Sequence, residues 1–103
     1  MNVTELRKLI KAEQGLSEKT EGLWDEIFSK KVELLCENLE DTMAFLDGCT
    51  EEEFLWLSNA FEDVSERFKS SEFIECLKRN QARYPAIFEK VQVEIDYAIQ
   101  VGN

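Results

Sequence analysis

Carboxylates are the side chains of this 103-residue chain whose number and spacing could do chemistry. Between Val32 and Glu66 the sequence has eleven acidic residues and no Lys or Arg, whereas Lys31 precedes this window and Arg67 follows it. The formal net charge of the whole chain is −10, so the window holds slightly more than the entire excess. A negative field concentrated on one part of a small protein attracts cationic groups at long range and repels nucleic acid and anionic membranes.

The sequence lacks most of the residue patterns that are typical of catalytic, metal-binding and phosphate-binding sites. The chain has no His, which removes Ser-His and Cys-His nucleophile pairs, Glu-x-x-His di-iron sites and the usual zinc ligand sets. Its four Gly lie far apart, so there is no phosphate-binding loop, and the acidic spacing does not match an EF-hand. Two carboxylates could serve a glycosidase, but a short helical chain has little material for the deep cleft that this chemistry needs. We therefore expect no enzyme, no catalytic, metal-binding or cofactor-binding residues, and no cofactor.

The three cysteines, Cys36, Cys49 and Cys76, are an odd and widely spaced set without a Cys-x-x-Cys pair. Such a pattern does not make a disulfide framework, and free cysteines are usually buried. We therefore expect reduced, partly buried thiols. Cys49 is expected to be the most exposed, because it lies in a predicted turn.

Basic residues form one local cluster, at Lys78, Arg79 and Arg83, with Lys90 further on. The chain has 12 Lys and Arg against 22 Asp and Glu, and phosphate binding depends on neutralising charge and releasing counterions. We therefore expect no direct binding of nucleic acid. We interpret the basic cluster as a solvated helix face that balances nearby Glu residues.

The elements that position these side chains are predicted to be helices. One Pro and four Gly are few for an all-β chain with many turns, and the helix-favouring Glu, Lys, Leu and Ala dominate instead. Hydrophobic residues make up 44% of the chain, which is enough for one core and argues against disorder. We predict an all-α protein, a single compact bundle of five or six short helices, with residues 1–103 forming one domain.

The sequence does not indicate membrane association or export. No apolar run is long enough to cross a membrane. Residues 1–15 lack the continuous apolar stretch of a secretory signal. We therefore expect a cytoplasmic protein without a membrane partner.

Apolar residues recur with helical spacing along the whole chain. Residues 21–47 could form one bent helix or two, and the last helix could be broken near residues 91–93, because Val93 lies off its apolar stripe. The predicted core-facing stripes are Val3, Leu6, Leu9 and Ile10; Leu23, Trp24, Ile27 and Phe28; Val32, Leu35, Cys36, Leu39, Met43 and Leu46; Phe54, Leu57, Phe61, Val64 and Phe68; Phe73, Ile74 and Leu77; and Ile87, Phe88, Val91, Ile95 and Ile99.

Capping residues and helix breakers mark the helix boundaries. Thr50 and Glu53 predict a capping box, in which each side chain bonds the backbone N–H of the other residue. This makes the three Glu at 51–53 helix-start residues that also complement the helix dipole. Ser70 is the predicted N-cap of the next helix, and Tyr84-Pro85 closes it. The other predicted boundary residues are Gly15 at the end of the first helix, Ser17 and Thr20 as N-caps, and Gly48 in a left-handed C′ position.

The spacing of the acidic residues predicts where they lie on these helices. Before residue 47, four acidic residues fall together on one helical face; three more lie on the polar face of the following helix, which Asn59 extends by one turn. Because only about four residues connect the two helices, we expect them to pack roughly antiparallel, so that the two acidic faces merge. We call this predicted partner-binding surface the acidic ridge, and its residues are Glu33, Glu37, Glu40, Asp41, Asp47, Asn59, Glu62, Asp63 and Glu66.

Two interpretations of the acidic ridge remain open at this point. A charge-rich face is often only a solvated face, and net charge favours solubility. Like charges four residues apart, however, destabilise a helix, and a sequence chosen only for stability would replace some of them with Lys. We therefore favour a binding surface. Trp56 lies off the apolar stripe, and we expect it to be buried against another helix rather than exposed as a binding anchor.

Three segments resemble a known family: Glu53-Phe-Leu-Trp-Leu-Ser-Asn-Ala-Phe61, Ser71-Glu-Phe-Ile-Glu-Cys-Leu77 and Tyr84-Pro85. They are similar to small acidic helical immunity proteins of bacterial polymorphic toxin and contact-dependent growth inhibition systems, over residues 32–86. The resemblance implies a cytoplasmic protein that binds the C-terminal domain of a cognate toxin, often a nuclease, and blocks it. The resemblance does not assign a catalytic or binding role to any residue of this chain.

Three functions are compatible with these features. The first is an immunity protein that neutralises a cognate toxin domain, a basic nuclease, through the acidic ridge. The second is a helical adaptor or regulatory protein that binds its partner through an apolar groove. The third is an acidic mimic of DNA that targets a nucleic-acid-binding protein of the host. We expect the first, because a nuclease presents a basic substrate groove to which acidic residues are attracted.

Overall fold

The computed structural model describes residues 1–16 and 21–102. Within these ranges the chain is all-α, as the sequence predicts, and contains no strand. The segment 51–68 consists of two helices joined by a 3-10 turn at Ser58–Ala60; counted as one unit, it brings the helical units of the described ranges to six. The α-helices are α1 Val3–Gln14, α2 Glu21–Leu35, α3 Leu39–Gly48, α4 Glu51–Leu57, α5 Phe61–Phe68, α6 Ser71–Arg83 and α7 Phe88–Gly102.

Side-chain caps begin α4 and α6 where the sequence predicts them. The Thr50 hydroxyl accepts the Glu53 N–H at 3.1 Å, and the Glu53 carboxylate accepts the Thr50 N–H at 3.0 Å. The Ser70 hydroxyl accepts the Phe73 N–H at 3.2 Å. After α6, a 3-10 turn begins at Pro85, as expected of the residue that cannot donate a helical N–H. The structure thus confirms these predictions. Each one depends on residues only a few positions apart, which a sequence shows directly.

Residues 21–47 form two helices, with a break at residues 36–38. The Asn38 side chain accepts the Asp41 N–H at 2.9 Å, and the Asn38 backbone is extended, with φ −156° and ψ 122°. Asn favours this capping conformation over the helix interior. The prediction that the four acidic residues of this region share one helical face is therefore wrong, and the break leaves Glu33 on α2, Glu37 in the connection, and Glu40 and Asp41 on α3.

The left-handed turn of the described chain lies at a lysine and not at a glycine. None of the described glycines has a positive φ, so the prediction of a left-handed Gly48 is wrong. Gly48 is the last residue of α3, and the chain leaves the helix at Cys49, whose backbone is extended. Lys69, with φ 48°, ends α5 and donates its N–H to the Ser65 carbonyl at 2.9 Å, which is the bond that closes an αL cap.

The end of α1 agrees with the prediction. Gly15 follows the last helical residue, and its N–H lies 3.2 Å from the carbonyl oxygens of Lys11 and Ala12. Its φ of −89° is right-handed, so the position does not need a glycine for its backbone conformation. The predicted N-caps Ser17 and Thr20 lie outside the described residues.

Helix neighbours differ from the predicted arrangement. The most extensive packing joins α5 to α7, followed by α6 with α7, α1 with α2, and α3 with α6. The predicted antiparallel packing of α3 against the segment 51–68 is therefore wrong, because α3 lies on α6 while α5 lies on α7. Small residues allow α5 and α7 to approach closely: the buried Ser65 hydroxyl donates to the Ala98 carbonyl at 2.6 Å. The acidic residues of α3 and α5 consequently do not merge into one ridge.

One core cluster joins all seven helices. Phe54, Phe61 and Val64 are almost fully buried, as their stripe predicts, and the rings of Phe54 and Phe61 lie 5.1 Å apart in a tilted arrangement that aromatic pairs favour. Trp56 is half-buried and packs on this core. The central stripe was readable because it combines helical spacing with large apolar side chains.

Some predicted side-chain positions are wrong. Cys49 is buried, not exposed, and burial raises the pKa of its thiol to about 12. Phe88 lies on the surface despite its place in the last stripe, and α7 continues without a break past Val93. All three cysteines are unpaired, with Cys36 half-buried and Cys76 buried.

Candidate functional site

Asp47, a residue of the predicted acidic ridge, is used inside the molecule. Its carboxylate accepts two bonds from the Arg79 guanidinium at 3.0 Å each and one from the Asn80 amide at 2.8 Å. The hydrogen bond from Arg79 is the main reason why the pKa of Asp47 lies below its ordinary value. Arg83 donates to the Asp47 backbone carbonyl at 2.6 Å. Arg79 and Arg83 of the basic cluster therefore hold the end of α3 in place.

Asn59, a second residue of the predicted ridge, points inward to a buried charge. The Lys31 ammonium is fully buried and donates to Glu13 at 2.7 Å, to the Trp56 carbonyl at 2.9 Å and to Asn59 at 2.8 Å. All three ammonium protons thus have acceptors, which a buried Lys requires. Burial lowers the pKa of Lys31, and the hydrogen bond and charge of Glu13 oppose that shift. The prediction of Asn59 on an exposed polar face is wrong.

Three further carboxylates contact groups of α1 or the chain start. Asp41 lies 3.0 Å from the Met1 ammonium. Glu53 accepts from Arg7 at 2.8 Å, and Glu52 accepts from Gln14 at 2.7 Å. Glu52 and Glu53, which the sequence assigns to the start of α4, therefore also contact α1 where α1 packs on α4.

The other six residues of the acidic ridge make no ion pair within the described ranges 1–16 and 21–102. A carboxylate with no internal partner remains available to an external one, and it adds to the field around the molecule. These residues are Glu33, Glu37, Glu40, Glu62, Asp63 and Glu66.

The packing of α2 against α5 brings two of these carboxylates together. Glu33 and Asp63 line one groove of about 240 Å³, whose other lining residues are Phe28, Ser29, Val32 and Arg67. Glu33 also lines a second groove, of about 330 Å³, between α1 and α2, together with Glu37 and Glu5. Glu33 is therefore the residue common to two neighbouring acidic grooves.

On the other side of α5, an acidic residue outside the sequence window joins the group. Glu94 of α7 is half-buried, and burial raises the pKa of its carboxyl, with the negative charge of Glu62 adding to the effect. The sequence shows Glu94 beside the buried Ile95 on α7, but only the packing of α5 on α7 places it near Glu62. We define the acidic band as Glu33, Glu37, Glu62, Asp63, Glu66 and Glu94.

The acidic band differs from the predicted ridge in its position on the molecule. It crosses from the end of α2 over α5 to α7, whereas the ridge was predicted on α3 and the segment 51–68. Glu40 is exposed on α3, the helix that packs on α6, and is not part of the band. The band keeps Glu62 and Asp63 together because they are adjacent on α5.

The helix dipoles stabilise some carboxylates of the acidic band and destabilise others. Glu62 and Asp63 lie in the first turn of α5, where a negative charge is stabilised. Glu33 lies near the C-terminal end of α2, whose last turn has no basic residue, and there the dipole opposes a negative charge. The helix dipole therefore does not account for Glu33.

An exposed apolar surface lies next to the band. Leu23 and Trp24 are 51% and 40% exposed, so the prediction that they face the core is wrong. The Trp24 ring stacks on Phe28, with the centroids 5.2 Å apart and the planes at 7°. Phe28 also lines the groove of Glu33 and Asp63. The apolar and acidic surfaces are therefore continuous.

Neither metal binding nor membrane crossing is indicated by the part of the chain that the structure describes. In that part no group of three or more Cys, Asp or Glu residues is arranged to hold a metal ion. No helix there is both long and apolar enough to span a bilayer.

Comparisons of the chain with protein-family models, curated proteins and solved structures find no significant match.

Proposed function

We propose that this protein is a cytoplasmic immunity protein that binds and neutralises a cognate bacterial toxin domain, a basic nuclease, through the acidic band. The resemblance of residues 32–86 to such proteins supports the proposal. The single observation that carries it is the set of carboxylates on α2, α5 and α7 that have no internal ion pair within the described residues, with Glu33 at an unfavourable helix end.

The chemistry of a nuclease fits this surface. A nuclease binds phosphates with Lys and Arg in its substrate groove, and the acidic band offers carboxylates to the same cations. Complementary fields also speed diffusional encounter, and the acceleration falls with ionic strength. The same carboxylates could instead bind the toxin beside its substrate groove. The protein would then block a partner that the toxin needs.

The test begins with the adjacent gene. We expect a large secreted protein to be encoded directly upstream, and we expect production of its C-terminal domain to stop bacterial growth unless this protein is co-produced. Stopped-flow measurement should show a 1:1 complex whose association rate falls at least tenfold between about 50 and 500 mM salt. If the wild-type protein neither binds that domain nor restores growth, the proposed function is wrong.

A matched pair of variants then tests the acidic band. Glu33→Lys/Asp63→Lys reverses two charges of the band, and Glu72→Lys/Glu75→Lys reverses two exposed charges of α6. Both variants change the net charge by the same amount. The first should weaken toxin binding by at least a hundredfold, on the scale of buried interfacial charge pairs, and the second by less than threefold. Equal losses would contradict a localised site.

A helical adaptor or regulatory protein is the second candidate, and the exposure of Leu23 and Trp24 favours it. An adaptor that binds through apolar contacts would have an affinity nearly independent of salt. In that case Trp24→Ala would abolish binding, while Glu33→Lys/Asp63→Lys would change it little. The salt series therefore separates the two candidates.

A further inference from the structure

The first half of α2 extends beyond the core. Residues 22–26 are all exposed, and the first buried residue after them is Lys31. Leu23, Trp24, Ile27 and Phe28 follow one another at the spacing of a single helical face. In a helix that only needed to fold, this face would be covered or polar. Two of its four apolar residues instead remain exposed.

Trp24 is held in place on this exposed face. Its ring lies nearly parallel to that of Phe28, at 5.2 Å, and Phe28 itself packs on the core. An aromatic ring that is already ordered loses little conformational entropy when a partner covers it. Trp is also the side chain most enriched in binding hot spots and the best face for a cation. The stack is therefore pre-organised for contact.

Carboxylates lie at the end of the stack. Glu33 and Asp63 line the groove that begins at Phe28. Arg67 lines the same groove, yet it forms no ion pair with any described residue. On α2 itself, Lys30 forms an exposed ion pair with Glu26 at 3.2 Å. The groove thus keeps two carboxylates against one guanidinium, and its charge favours a cationic occupant.

We propose that this surface binds a basic segment of a protein partner, in which an Arg enters the groove beside Phe28 and bonds Glu33 and Asp63. An apolar residue next to that Arg covers Leu23 and Trp24. The occupant is inferred from charge complementarity and from the planar guanidinium, which stacks on aromatic rings and bonds carboxylates in pairs. A second copy of this chain is a poor occupant, since each copy carries a net charge of −10. This inference rests on the proposed function and identifies the anchor of the toxin interface.

A peptide probe tests the site without the toxin. A blocked six-residue peptide of alternating Leu and Arg is titrated into ¹⁵N-labelled protein, with a Ser/Arg and a Leu/Asp peptide as controls. The Leu/Arg peptide should shift the Trp24 indole signal and the amides near Glu33 and Asp63, and it should bind at least tenfold more tightly than the Ser/Arg peptide. The Leu/Asp peptide should cause no shifts. Shifts centred on α3 or α6, or none at α2, would overturn the inference.

Variants test the same site in the toxin complex. Trp24→Ala should weaken binding of the adjacent-gene toxin domain at least tenfold, whereas Tyr97→Ala, which removes an equally exposed aromatic ring on α7, should change it less than twofold. Circular dichroism confirms that both variants fold. If wild type binds and protects but Trp24→Ala equals Tyr97→Ala, the anchor is wrong and the proposed function stands. If wild type fails to bind, the proposed function itself is wrong.

Discussion

At the scale of single residues, the buried Lys31 shows how this protein handles its charges. Lys31 borders the acidic window in the sequence, and its side chain is enclosed by α1, α4 and the turn after α4. Transferring an ammonium from water is costly unless it is paired and fully hydrogen-bonded. Glu13, Asn59 and the Trp56 carbonyl meet that condition. The network therefore makes α1 and α2 dependent on each other.

Removing the Lys31 charge tests this dependence. Lys31→Met should lower the free energy of unfolding by about 3–5 kcal/mol, because it leaves Glu13 buried without its cation. Lys31→Met/Glu13→Gln should recover part of that loss. Lys30→Met, a neighbouring exposed Lys paired with Glu26, should cost less than about 1 kcal/mol. Urea unfolding measures all three, and equal effects of Lys31→Met and Lys30→Met would contradict the buried network.

At the scale of elements, ion pairs and small side chains decide which helices are neighbours. Asp47 ties the end of α3 to Arg79 and Asn80 of α6, while Ser65 and Ala98 bring α5 onto α7. The acidic faces of α3 and α5 are thereby directed to different helices. The acid-only window of the sequence is divided into a structural part on α3 and α4 and a part available for binding on α2 and α5.

The link between α3 and α6 predicts a specific pH dependence. Since the pKa of Asp47 is lower in the folded protein than in the unfolded chain, its stabilising effect is complete above the unfolded pKa of about 4 and is lost as pH falls through the folded pKa. Asp47→Asn should therefore lose less stability than wild type between about pH 4 and pH 2. Glu40→Gln, on the same helix and outside any ion pair of the described residues, is the control. Parallel pH profiles for wild type and Asp47→Asn would contradict the prediction.

At the scale of the whole molecule, the carboxylates that favour binding of a basic partner also lower the stability of the free protein. The chain has a formal net charge of −10, and repulsion between like charges destabilises a compact state. Where carboxylates cap helices or pair with Arg, folding itself explains them. Where a carboxylate opposes a helix dipole, as at Glu33, folding does not explain it, and a role in binding or in solubility is left.

Charge reversal at two helix ends separates a carboxylate that stabilises the fold from one that serves binding. Glu33→Lys should raise the free energy of unfolding of the free protein by about 0.3–1 kcal/mol, because it places a cation at the C-terminal end of α2. Glu51→Lys makes the same charge change in the first turn of α4 and should lower stability by a similar amount. For toxin binding we expect the opposite ranking, with Glu33→Lys the more damaging. Thermal unfolding and binding titrations provide the two measurements.

The sequence by itself determined the local features of this protein. Helical class, the capping box at Thr50, the N-cap at Ser70, the break at Tyr84-Pro85 and the stripe through Phe54 and Phe61 all follow from residues within one or two helical turns of each other. Such patterns act before any long-range contact forms. The excess of negative charge around residues 33–66 was equally readable, since charge depends only on composition.

Tertiary structure alone decided which acidic residues lie together. Lys31 and Asn59 turn inward because a partner 46 residues away from Asn59 in sequence, Glu13, completes their network, and no local spacing contains that information. In the same way, the packing of α5 between α2 and α7 selects Glu33 and Glu94 for the acidic band and leaves Glu40 out. The exposure of Trp24 also depends on where the core ends, which is a property of the packed bundle and not of one helix.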